Sequence, residues 1–74
     1  MGKLRVLSGR EVCLILEKHG FQAVRQKGSH VIIQGRTDLG TTTIPVPDHK
    51  EIKVGTLRSI IRQSGVPISE FETK

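Results

Sequence analysis

Aromatic residues are nearly missing from this 74-residue chain, which has two phenylalanines, no tryptophan and no tyrosine. RRM and OB-fold proteins stack successive bases on aromatic platforms, so neither mode of RNA binding is expected. Phe21 follows a glycine and Phe71 sits on an apolar tail, and both are expected in the core. Cys13 is the only cysteine, which excludes an intramolecular disulfide and a cysteine-based zinc cluster. Within a helical stretch it reads as a small hydrophobe. Apolar runs are short, and none approaches the roughly 20 residues of a membrane span. The first residues, Met1 to Leu7, lack the apolar core of a secretory leader, so a cytoplasmic protein with no membrane contact is expected.

Carboxylates are also few, seven against twelve Lys and Arg, for a formal charge of +5. They are dispersed, so nothing suggests a two-metal nuclease cluster or a glycosidase pair. The three histidines fall on different elements without metal-ligand spacing, and no glycine pattern of the nucleotide-binding kind occurs. No metal and no cofactor are expected. The positive balance is the footprint of a nucleic-acid binder, and without aromatics such binding rests on Lys and Arg reading backbone or shape, as double-stranded RNA is commonly bound.

The chain reads as a single domain over residues 1–74, because each Gly/Pro cluster punctuates short periodic segments. A domain of this size buries only about 60% of the surface its unfolded chain exposes. Ser8-Gly9-Arg10-Glu11 is a capping box with Leu7 and Val12 as its staple. Val12, Ile15 and Leu16 then recur at helical spacing, which predicts a helix from about Gly9 to His19 that Gly20 stops. Phe21 to Gln26 and His30 to Gln34 read as strands joined by the turn Lys27-Gly28-Ser29. Gly35 to Gly40 reads as a polar loop, and Thr41 to Val46 as a third strand whose Pro45 favours an edge. Leu57, Ile60 and Ile61 predict a second helix from Val54 to Ser64. Ser69 to Glu72 offers another capping box for a short turn holding Phe71.

The expected fold is α+β with order α-β-β-β-α, a three-stranded antiparallel sheet carrying both helices on one face. Alternation puts Val31 and Ile33 on one side of the second strand and His30, Ile32 and Gln34 on the other. With the first pair inward, His30 points away from the core. Histidine exchanges a proton near neutral pH, with an unperturbed pKa of about 6.5, and His30 has Arg25 and Lys27 beside it to hold a polyanion. His19, in the last turn of the first helix, suits a capping role, and His49 reads as a solvated loop residue. Ile32 makes the His30 face partly apolar, as a surface covered by a partner would be.

Four motifs in order carry a resemblance: the capped helix ending at Gly20-Phe21, then Arg25-Gln26-Lys27-Gly28-Ser29-His30, then Ile44-Pro45-Val46-Pro47, and finally Gly55-Thr56-Leu57-Arg58-Ser59-Ile60-Ile61-Arg62-Gln63-Ser64-Gly65. Together, from about Ser8 to Phe71, they resemble the HicA toxin family. The resemblance implies a fold similar to the double-stranded-RNA-binding domain (dsRBD-like). It implies the toxin of a type II toxin–antitoxin pair, a ribonuclease (mRNA interferase) that cleaves mRNA and stops translation. The family's catalytic histidine lies in Gly-Ser-His, so that role carries over to His30, and the usual partner is a HicB antitoxin that blocks the site. The mechanism expected has His30 as general base on a ribose 2′-hydroxyl, without metal. Lys27, Arg25 and Lys50 would stabilise phosphate charge, Gly28 would admit the RNA backbone, and Ser29 would orient imidazole or phosphate. The alternative is a non-catalytic RNA-binding or protein-interaction module.

Overall fold

The computed structural model of the chain describes residues 2–73. Its order is α1 (Gly9–Lys18), β1 (Gln22–Lys27), β2 (His30–Thr37), β3 (Gly40–Pro47), α2 (Val54–Ser64) and a final 3₁₀ turn (Ile68–Phe71). The capping box forms: the Glu11 amide donates to the Ser8 hydroxyl at 3.1 Å and the Ser8 amide to the Glu11 carboxylate at 2.9 Å. These bonds to Ser8 hold the Glu11 carboxyl below its usual range. Their stabilisation is therefore present above the ordinary carboxylate pKa and fades as pH falls through the lowered one. Both staple residues, Leu7 and Val12, are buried. The first helix gives way at His19, and Gly20 follows with φ 91°.

β1, β2 and β3 form an antiparallel meander in that spatial order. The stretch expected as a loop is largely strand. Gly35 pairs with Thr42, Arg36 with Thr41 and Thr37 with Gly40, which leaves a two-residue turn at Asp38-Leu39. Threonines drive the extension, since they pair well across a pleated ladder, and the Thr37 and Thr42 hydroxyls bond each other at 2.9 Å. Pro45 lies on the edge strand as expected. Ile33, Ile44 and Val46 face the helices and pack with Val12, Leu16, Leu57 and Ile60 in one core. A bulge between Ala23 and Arg25 shifts the register of β1, so Ala23 pairs with inward Ile33 while Gln22 pairs with outward Gln34.

The second helix has the expected bounds, and Gly65 closes it in the left-handed region. The capping box expected at Ser69 does not form. The final turn starts two residues earlier than that cap would place it, at Ile68 behind Pro67, and has no side-chain cap. Proline fixes the entry dihedral and does without the hydroxyl. Phe71 is fully buried, as expected.

Gly9 marks the tightest approach. Its amide donates to the His49 carbonyl at 2.9 Å, and a Cβ there would run into the Pro47 carbonyl oxygen. Alanine is the better helix former by about 1 kcal/mol, yet Gly9→Ala is expected to destabilise the protein by about 1–3 kcal/mol through this overlap. Urea unfolding measures the sign directly.

Candidate active site

The β1–β2 hairpin delivers His30. Lys27 and His30 close a two-residue loop in which Gly28 has φ 60° while Ser29 stays at negative φ. That pattern fits a type II′ turn, whose first position favours glycine and whose twist matches the strands. The turn is anchored from below: the Asp48 amide donates to the Ser29 carbonyl at 2.7 Å. The Gln26 amide reaches both the Gly28 carbonyl and the Asp48 carboxylate, each at 3.4 Å. Arg10 approaches the same carboxylate at 3.9 Å. Both ends of the turn are thus fixed to the segment leaving β3, so the start of β2 has a defined position.

Register then sets the neighbours. His30 pairs with Lys27 on one side and Pro47 on the other, and the next outward row is Arg25, Ile32 and Pro45. Directly opposed residues share a face with Cβ atoms about 4.5–5.5 Å apart. His30, Lys27 and Arg25 therefore stand together on the outer face, all three exposed. Among the described residues, the His30 imidazole takes no hydrogen bond from another side chain and is free to meet a ligand. Gly28 and Ser29 lie at the rim of the same site. Among the described residues the Lys50 side chain makes no hydrogen bond or ion pair that would tie it to them. It is exposed on the β3–α2 loop, whose neighbours are tied to the start of α1 through the His49 carbonyl and the Ile52 amide.

Sequence reasoning missed the far wall of the site. His30, Pro45 and Pro47 line a shallow cleft of about 460 Å³ with Gly55, Thr56 and Ser59 of α2. On a helical wheel these α2 residues read as the solvent side of an amphipathic helix, and only packing against the β3 edge turns them toward His30. The sole sequence signal is a Gly-Thr pair at the helix start with no apolar role. Asp48 was missed as well, because its hold on Ser29 joins residues nineteen positions apart through backbone atoms.

The other titratable groups do not gather here. His19 pairs with Glu70 at 3.2 Å, bracing the end of α1 against the final turn. Cys13 lies in the core, where burial pushes its thiol pKa up, which suits the hydrophobic role expected of it. Among the described residues no three His, Cys, Asp or Glu side chains cluster as a metal site would require. Among the described residues no helix is long and apolar enough to cross a membrane.

No curated protein and no solved structure matches the chain. A family model does, over residues 9–66, and it is described as the HicA toxin of bacterial toxin–antitoxin. That span runs from the first residue of α1 past the end of α2 and includes the turn that carries His30. The chain belongs to the HicA toxin family and is a toxin of the toxin–antitoxin kind.

Proposed function

We propose that this toxin is an endoribonuclease in which His30 is the general base, acting on mRNA without a metal ion. The carrying observation is one exposed histidine on a fixed turn, with Lys27 and Arg25 on the same face and an open cleft beside it. Neutral imidazole takes the proton of a ribose 2′-hydroxyl as its oxygen attacks the neighbouring phosphorus. The phosphorus–O5′ bond breaks, the leaving 5′-oxygen takes up a proton, and a 2′,3′-cyclic phosphate remains on the upstream fragment. Lys27 and Arg25 stabilise the charge that builds on the non-bridging oxygens. Gly28, without a side chain, lets the RNA backbone come close, and the Ser29 hydroxyl orients phosphate or imidazole. Lys50 belongs to this set only as a longer-range contributor to the positive potential.

The partner fitting this reading is a HicB-like antitoxin that covers the site. Ile32, Pro45 and Pro47 supply an apolar strip beside Arg25 and Lys27, so a covering surface would gain contact area as well as charge.

The end groups of the product test the chemistry. Incubated with an RNA oligonucleotide in excess EDTA, the protein is expected to give 2′,3′-cyclic phosphate and 5′-hydroxyl ends at an undiminished rate. A single 2′-deoxy substitution at the cut position is expected to block cleavage there. A strict metal requirement, or 5′-phosphate ends, would overturn the mechanism.

A further inference from the structure

The three strands contain no Asp or Glu, and their only cations are Arg25, Lys27 and Arg36. The pairing register puts all three, with His30, on the outer face of the sheet. Between the two ends of this face lies a polar row in which Gln22 pairs with Gln34 and Gln34 pairs with Thr43, and the Gln34 amide donates to the Thr43 hydroxyl at 3.1 Å. Arg36 stands at the far end. There, with Gln22, Gln34 and Thr41, it lines a second shallow cleft of about 430 Å³. Both the bulge in β1 and the strand extension past Gly35 are needed to build this end, since they bring Gln22 and Arg36 onto the His30 face.

From this arrangement we infer that the outer sheet face is the track for a single strand of RNA, which runs along β2 from the cut site at His30 to a phosphate contact at Arg36. The inference rests on the nuclease reading of His30 and names its substrate class. Six residues at about 3.3 Å each separate the two ends by about 20 Å. That length suits about four nucleotides, the low end of the site sizes taken by small single-strand-binding domains.

Two arguments favour a single strand over a duplex. A dsRBD on duplex RNA spans about 16 base pairs and touches two successive minor grooves, whereas these cations lie on one short face whose strands carry no carboxylate. The proposed attack also requires the 2′-oxygen to come into line with the leaving oxygen, a geometry that a flexible strand reaches and a stacked helix resists. Without aromatic platforms the hold is chiefly electrostatic, with the glutamines meeting base edges or sugars in place of stacking. Binding is therefore expected to be modest and strongly salt-dependent.

The test uses the full chain and a 2′-O-methyl RNA octamer, which cannot be cleaved, so binding is read apart from catalysis. Wild type is expected to bind the single strand more tightly than a duplex of the same sequence. Arg36→Glu should weaken single-strand binding about tenfold, and Arg36→Lys should recover most of it. Removing one phosphate contact should flatten the dependence of log K on log salt by about 0.7. Arg58→Glu, the same charge change on exposed α2, is expected to cost clearly less. Tighter duplex binding, an Arg36→Glu affinity equal to wild type, or an equal loss from Arg58→Glu overturns the track. An unaffected RNA affinity alongside weakened capture of the antitoxin would assign the face to a protein instead. Because the octamer reports binding alone, a failure of His30 as the base shows only in cleavage assays and is distinguishable.

Discussion

His30→Ala is expected to remove RNA cleavage, lowering the rate by about 10²- to 10⁴-fold, the usual worth of one general acid–base group. The upper end is expected here, because no second titratable side chain shares the cleft to take over the proton. Binding and folding should survive. His30 is exposed and unbonded, and surface substitutions of that kind change stability by within about 0.5 kcal/mol. Arg25 and Lys27, the cations proposed to hold the phosphate, are untouched. The measurement is single-turnover cleavage of a labelled oligonucleotide beside an affinity measurement on the 2′-O-methyl analogue. Retained cleavage sinks the assignment, and lost binding with lost cleavage would move His30 from the chemistry to the hold on the substrate. Lys27→Ala gives an informative comparison. Its loss should fall on cleavage as well as on affinity, since a cation next to the reacting phosphate acts on charge that grows toward the transition state.

What the sequence disclosed about this site follows the range of the interactions involved. The turn at Gly28-Ser29 and the direction of His30 are local, set by a glycine at positive φ and the two-residue period of a strand, and both were legible. The capping box of α1 and the bounds of α2 were legible for the same reason. The β1 register was not. Strict alternation from Lys27 would put Ala23 on the outer face, and the bulge at Val24, an energetic choice of the whole sheet, replaces it with Gln22. The loop expected from Gly35 to Gly40 failed in a similar way, because cross-strand threonine pairing outweighs the glycines once the two segments lie side by side. The α2 wall of the cleft depends on how a helix settles against a sheet edge, which no single-segment pattern encodes. Arg36 was overlooked for that reason: within an expected loop its side had no meaning, and as part of β2 it falls on the face of His30.

Phe71→Ala is expected to cost about 3–5 kcal/mol, as deletions of large buried aromatic rings do. Domains of this size have roughly 0.05–0.15 kcal/mol of stability per residue, about 4–11 kcal/mol in all, so the loss leaves the native state marginal or absent at 37 °C. Phe71 lies five residues beyond the stretch matched by the family model, on a turn of only four residues. Its ring is fully buried all the same, and its carbonyl accepts from the Arg5 amide at 2.9 Å. Leu4 bridges Glu72, and the Thr73 amide donates to the Lys3 carbonyl at 2.7 Å. The ring therefore holds the C-terminal turn on the core and also fixes where the N-terminal segment pairs. Phe71→Leu refills part of the volume and should recover more than half of the loss, which separates a packing role from a backbone one. Thermal and urea unfolding of both variants make the comparison, and a Phe71→Ala loss below 1 kcal/mol would show that the turn docks without its ring. Cleavage per folded molecule should stay at the wild-type level in Phe71→Leu, because the ring belongs to the inner core and His30 stands on the outer face of the sheet.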